Sequence, residues 1–310
     1  VQRLALFSLL RTYNTFDFGK STTERNMIIG IEEPEIYLHP PLKRSTYSLL
    51  RKISEGNDQV LYCTHDSLFL SVEYFDEIRL FRKSDGKAPT TSVYEFSVQK
   101  IIDFYKKTYG VTVDEMSIRH RFYHIIDESK NEGFFAKKII LIEGDTEKYA
   151  LPNYFLAKGL DLDVNRIAII SAGSVDNIAY LLLIFNEFRI PCYAIFDGDK
   201  PDVDPNTLAG SYRDDAVNKS KRNKELFTFL DKSVPADLFF FPATSIEDNL
   251  TVWEKSFEDE FHKPLANYVA LKSEAKKLYG NDSKPLTARF ISEKVCADPS
   301  KIDNKIDLVI

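Results

Sequence analysis

Cysteine is scarce: Cys63, Cys192 and Cys296 are odd in number and far apart in 310 residues. They supply neither a disulfide framework nor a zinc site, and they point to a reducing cytoplasm. Long apolar runs are also missing. The longest, Ile178 to Phe185, falls well short of the roughly 18 residues a membrane span needs, so no membrane partner is expected. No segment combines a basic start, an apolar core and a small-residue cleavage site. A basic excess is absent too: the formal net charge is −6, which excludes global attraction to nucleic acid but leaves room for a local basic groove or bound cations. What is present suits a globular chain, 44% hydrophobic and 28% charged, with length for two domains at about 150 residues each. The tyrosines and phenylalanines fall mostly in apolar strands and helix stripes and read as core rather than as base-stacking platforms.

Val1 to Leu10 reads as a helix already under way, as expected of a piece of a longer protein. A short apolar strand, Met27 to Ile31, runs into Glu32-Glu33-Pro34-Glu35. Apolar residues at helical spacing predict a helix over 41–55. Gln59 to Cys63 is a second strand, ending in Thr64-His65-Asp66, and Glu77 to Arg82 is a third. Strand–helix–strand in this order implies a parallel sheet. Residues 99–136 read as a charged helical connector between a first domain, 1–98, and a second, 137–310. The second domain opens on the strand Ile139 to Ile142, followed by a helix (146–158), a strand (166–170), a helix (175–188) and a strand (192–196). A polar stretch, 201–223, a strand over 238–241 and a mostly helical remainder complete it. The fold class is therefore α/β twice over. Gly19-Lys20-Ser21-Thr22 imitates the end of a phosphate-binding loop, but Asn14 stands where the required glycine belongs and no strand precedes it.

Two constellations carry chemistry. In the first, Glu32 at a strand tip suits the hydration shell of Mg²⁺, and Glu33 can orient water toward a γ-phosphate. His65, at the end of the next strand, can contact the same phosphate. In the second, Glu143 follows one strand, with Gly144 permitting a tight turn into a helix and Glu147 in that helix's first turn. Asp197 and Asp199 follow another strand and, at i and i+2, face the same side. Open parallel sheets gather ligands at the carboxyl ends of strands, so Glu143 and Asp197 can converge. Four crowded carboxylates repel one another and call for a cation. Oxygen donors alone suit Mg²⁺ or Mn²⁺, and two such ions roughly 4 Å apart would serve phosphodiester cleavage. Ser171-Ala172-Gly173-Ser174 reads equally as a contact for water or phosphate and as a helix cap. The basic cluster from Arg213 to Lys224 reads either as a track for a DNA backbone or, with acids interleaved, as a solvated face.

Gln2-Arg3 before an apolar helix, Ile29-Gly30-Ile31-Glu32-Glu33-Pro34-Glu35, Leu38-His39-Pro40 and Thr64-His65 resemble the carboxy-terminal lobe of an ABC-type ATPase. Glu32 stands where Asp is commonest in that pattern. The stretch from Lys138 to Lys200, with its Glu-Gly and Asp-x-Asp motifs, resembles a TOPRIM domain, a Rossmann-like fold. Together they resemble the carboxy-terminal part of an OLD (overcoming lysogenization defect) family nuclease. That resemblance implies a metal-dependent DNA endonuclease joined to an ATPase and associated with defence against phage. It implies one metal on Glu143, Asp197 and Asp199, and a second on Glu147 and Glu247 with Asp248 or Ser171. It implies that Lys284 stabilises charge on a phosphate, where the residues alone allow a solvated lysine. ATP, a homodimer or higher homo-oligomer and an accessory defence protein are the further partners it implies. A topoisomerase- or primase-like protein and a non-catalytic DNA-sensing module are the alternatives.

Overall fold

The computed structural model describes residues 27–56, 58–84, 88–125 and 127–309. The expected helix at Val1 and the Gly19-Lys20-Ser21-Thr22 stretch lie outside the described residues. The chain divides into two compact units, one up to Ser71 and one from Val72 on.

In the first unit, β1 (Ile28–Glu32) and β2 (Gln59–Cys63) pair in parallel, with Glu32 level with Cys63. Helix α1 (Pro40–Ser54) makes the crossover. Its Leu50 and Ile53 bury with Phe69, against which Ile29, Ile31 and Tyr62 pack. The parallel sheet expected from strand–helix–strand order is thus present. The predicted third strand does not join it. Leu80–Lys83 (β3) pairs antiparallel with Thr91–Tyr94 (β4) in the second unit, because the hairpin partner lies only a short loop away.

The second unit is built on a five-stranded sheet of order β6-β5-β7-β9-β8. Its strands are β5 (Lys138–Ile142), β6 (Ile167–Ser171), β7 (Cys192–Asp197), β8 (Ser245–Glu247) and β9 (Leu250–Trp253). All neighbours are parallel except β8 and β9. The chain moves from β5 outward to β6 through α4 (Asp145–Ala157). It then crosses back to β7 through α5 (Val175–Glu187). Right-handed crossovers in opposite directions put these two helices on opposite faces. One face of the sheet, with Ile140, Ile142, Ile195 and Trp253, packs against Leu151, Tyr154 and Phe155 of α4. Helix α9 (Lys284–Cys296), packed against α8 (Tyr268–Tyr279), lies along α4 and adds Phe290 and Ile291 to that core. By strand alternation Ile139, Leu141, Ala194 and Phe196 face the other way, toward α5, and all four are buried.

Helix α5 is apolar nearly all round, which requires cover on its outer side as well. The charged connector provides it. Helices α2 (Val98–Tyr109) and α3 (Glu115–Ile125) turn aromatic residues inward, and Phe104 and Phe122 meet the ring of Tyr180 edge-on. Arg121 donates to the hydroxyls of Tyr105 and Tyr180 at 2.7 and 3.0 Å. The polar stretch after Asp199 forms a 20-residue helix, α6 (Gly210–Phe229), whose polar composition hides a buried line of Ala216, Ser220, Asn223 and Leu226. Leu238 to Phe241 forms no strand. It runs beside α6, where the Phe240 N–H donates to Ser220 Oγ at 2.7 Å instead of to a sheet neighbour.

His262, 1% exposed beneath α4, sits 3.2 Å from the Tyr154 hydroxyl. Burial holds its imidazole down to about 4. Between pH 6.5 and 4 the unfolded chain therefore binds the extra proton and the folded chain does not, so stability falls as pH falls. Urea unfolding at pH 7 and pH 5 should show wild type losing about 2 kcal/mol more than His262→Gln. Equal losses would mean His262 is charged in the fold.

Candidate metal centre

The sheet order places a reversal of winding between β5 and β7, and such switch points open a crevice at the carboxyl ends of the strands. The acids stand there. Glu143 directly follows β5, and its Oε2 accepts the Asp197 N–H at 3.2 Å. Asp197 closes β7, and its Oδ1 accepts the N–H of Phe257, first residue of helix α7 (Phe257–Phe261), at 2.9 Å. Glu147 lies in the first turn of α4 and is 3% exposed. Asp199 adopts a left-handed φ of 58° and is held by its N–H to Lys255 O at 2.9 Å.

Burial dominates the electrostatics of all four. It pushes Glu143 up to about 7; the Asp199 charge adds to this, while the Asp197 N–H, Arg222 and Lys219 oppose it. It pushes Glu147 up to about 7, with the charges of Glu143 and Glu258 adding to it. Asp197 is raised well above the usual carboxylate range by burial and then by Glu147 and Glu143. Asp199 is raised by burial against the pull of Lys219. Groups arranged so that each disfavours its neighbour's charge gain most from a cation among them. The donors are all oxygen, which fits Mg²⁺ or Mn²⁺ and not a thiolate-preferring metal. Among the described residues no three His, Cys, Asp or Glu side chains already converge on one point at coordinating distance, so loading the site takes side-chain rotation.

The other expected residues divide. Ser171 ends β6 beside Ile142, on the far side of β5 from β7 but at the same end of the sheet. Ser174, not Ser171, caps α5, accepting the Asn177 N–H at 3.4 Å. Lys284 is the first residue of α9 rather than part of a loop, with Pro285 tolerated beside it in the first turn. It lines an open cleft of about 430 Å³ together with Asp199, Lys219 and Glu258, and among the described residues it has no ion-pair partner. Glu247 and Asp248 are not brought to the cluster. Strand β8 is antiparallel, so Glu247 pairs with Leu250, which pairs with Ala194, and the strand's end points to the opposite rim. Three residues at about 3.3 Å each put it roughly 10 Å back from Asp197 along the sheet. Lys232 ion-pairs with Glu247 there and holds its carboxyl low. The acid that does approach is Glu258, in the first turn of α7, which the sequence reading missed. Ser256 followed by Asp259 was the available signal for that helix start; Ser256 Oγ accepts the Asp259 N–H at 3.3 Å.

In the first unit the structure brings Glu33 and His65 together, 4.0 Å apart. Glu33 has a left-handed φ of 45°, and its N–H donates to Cys63 O at 2.8 Å. Glu35, 7% exposed, accepts the Thr64 hydroxyl at 2.8 Å and the His65 N–H at 2.9 Å, tying the loop after β1 to the loop after β2.

A Rossmann-like sheet with carboxylates at its switch point is the architecture of a TOPRIM domain. Residues 134–199 match the family model described as "Overcoming lysogenization defect protein-like, TOPRIM domain", and residues 1–70 match that of an AAA ATPase domain. The OLD nuclease of Thermus scotoductus is 26% identical over 211 residues, 67% of this chain and 38% of that protein. The Old nuclease of Escherichia phage P2 is 27% identical over 185 residues, 58% of this chain and 29% of that protein. The chain thus spans well under half the length of either relative. The C-terminal region of the Xanthomonas campestris pv. campestris OLD protein, at 16% identity, covers 57% of this chain and 93% of its own, with a TM-score of 0.38. With an ATPase-like segment followed by a stretch that matches an OLD-like TOPRIM domain, the chain is similar to OLD-family proteins, as its motifs led us to expect.

Proposed function

We propose that the chain is the nuclease-bearing part of a divalent-metal-dependent DNA endonuclease, coupled to an ATPase module and working in the cytoplasm in defence against phage or in DNA processing. The observation that carries this reading is the set of four mutually destabilised carboxylates at the switch point, Glu147 buried and Glu143, Asp197 and Asp199 half-buried. Glu143, Asp197 and Asp199 would hold one Mg²⁺ or Mn²⁺, and Glu147 with Ser171 and Glu258 would help to hold a second. Such ions, when bound, supply an activated water and stabilise the leaving oxygen of a phosphodiester. The chain's own residues do the positioning. Asp197 is fixed by the Phe257 N–H, Glu143 by the Asp197 N–H, and unpaired Lys284 offers a cation to a phosphate oxygen in the adjoining cleft. In the complete ATPase, Glu32 would serve Mg²⁺ hydration, Glu33 the attacking water and His65 the γ-phosphate of ATP, acting in a homodimer or higher homo-oligomer. No helix among the described residues is long and apolar enough to cross a membrane.

The test is supercoiled plasmid incubated with the protein and Mg²⁺, Mn²⁺ or EDTA. Nicking or linearisation is expected with metal only, and Glu143→Gln should slow it by about a hundredfold. Absence of cleavage with every metal, in a protein that includes the whole ATPase, would sink the reading. A covalent protein–DNA adduct would favour a topoisomerase.

A further inference from the structure

Most lysines around the cleft are matched to acids outside the Glu143–Asp199 set. Lys200 pairs with Glu254 at 2.6 Å, Lys255 with Asp202 at 2.5 Å, and Lys263 with Asp259 at 2.6 Å. Lys219 differs. Its Nζ lies 3.7 Å from Asp199 Oδ1 and 3.2 Å from Asp215 Oδ2, so one ammonium is shared between an acid of the candidate metal centre and an acid on its own helix. The position is built rather than incidental. On the same helix, buried Asn223 donates to the carbonyl of Gly198, between the two aspartates, at 2.8 Å. On the same buried line, Ser220 Oγ donates to Leu238 O at 3.1 Å and accepts from Phe240 N–H at 2.7 Å, pinning the helix to the 238–241 segment as well. The element that carries Lys219 is therefore bonded directly to the loop whose charge it faces.

We propose that Lys219 is the resident counter-ion of the Asp197–Asp199 loop, balancing it until a divalent cation binds and then turning to a phosphate of the DNA strand on the same rim. This rests on reading the site as a metal-dependent DNA nuclease. Lysine suits the task because a compact ammonium on a flexible stem can serve two anions in turn, where a guanidinium fork favours one fixed partner. Asp215 keeps hold of the ammonium at 3.2 Å, so leaving Asp199 surrenders only the longer of two contacts.

The two roles predict effects of opposite sign in Lys219→Met. Without DNA, calorimetric titration should show Mn²⁺ binding about tenfold tighter than in wild type, since a competing positive charge has gone. That gain should shrink as salt is added. With DNA, KM for an oligonucleotide duplex should rise severalfold. Lys219→Arg keeps the charge and should bind Mn²⁺ within about twofold of wild type. Lys219→Gln repeats the measurement should the methionine disturb folding. A residue that merely packs the helix would weaken both metal binding and cleavage. Unchanged or weaker Mn²⁺ binding in Lys219→Met, when wild type binds Mn²⁺ and cleaves, overturns the proposal. Tighter Mn²⁺ binding with unaltered KM overturns the transfer to phosphate. Wild type that neither binds Mn²⁺ nor cleaves overturns the nuclease reading and the proposal with it.

Discussion

Asp197→Asn should yield a protein that melts higher without metal yet cleaves DNA about a thousandfold more slowly. The cleavage side follows from position, because Asp197 ends the central strand β7 next to Glu143, with its carboxyl raised by burial and by the charges of Glu147 and Glu143. Loss of a group that stabilises transition-state charge costs several kcal/mol, and each 1.36 kcal/mol is tenfold in rate. The stability side follows from the direction of its shift. A carboxyl whose folded pKa is raised keeps its proton after the unfolded chain has released it, so above about pH 4 rising pH draws stability out of the fold. Asparagine removes that loss and still offers an oxygen to the Phe257 N–H. At pH 8 in EDTA its melting point should exceed wild type by about 2–4 °C for each kcal/mol relieved. Added Mn²⁺ should raise wild type and leave the variant nearly unmoved. If the variant melts lower in EDTA, Asp197 holds the fold through its hydrogen bond and the four acids do not repel.

How much of this was legible in the sequence depends on how locally each feature is determined. Glu143 and Asp197 could be placed because each follows an apolar run at once, and parallel strand ends share one rim. Glu32, Glu33 and His65 could be ordered for the same reason. Glu247 misled because its acids also follow a short apolar segment, while strand direction is set by pairing and not by the strand's own residues. Only the register of β8 on β9 shows that its end points away from Asp197. Helix α6 was hidden by polarity: its buried line includes Ser220 and Asn223, polar residues kept inside by bonds to backbone atoms distant in sequence. The connector read only as a charged helical link for the converse reason. Its lysines and acids outnumber the few rings that cover α5, and nothing in residues 99–136 announces that an apolar helix elsewhere needs a second lid.

The two glycines of the acidic motifs looked alike in sequence and should respond oppositely to alanine. At Gly144 the backbone is extended, φ −143° and ψ −171°, which any residue adopts, and an added Cβ would meet nothing nearer than Glu147 Oε2 at 3.8 Å. The tight turn expected there is not what the backbone makes, and Gly144→Ala should shift the melting point little. At Gly198 an added Cβ would stand 2.9 Å from the carbonyl oxygens of both Trp253 and Glu254. Neither can swing aside, because the Trp253 carbonyl accepts the Gly198 N–H at 2.6 Å and the Glu254 carbonyl accepts the Lys200 N–H at 3.0 Å. Making room means parting β7 from β9 at the ends that carry Asp197 and Asp199. Overpacking of this kind costs about 1–3 kcal/mol, or a fall of about 2–12 °C in a domain of this size. Cleavage should fall further than stability, since displacements of about 1 Å at a catalytic group can cost a hundredfold in rate. Thermal melts of both variants beside plasmid cleavage below their melting points would check this. Equal tolerance at the two positions would mean that the β7–β9 clamp around Gly198 is looser than its hydrogen bonds indicate.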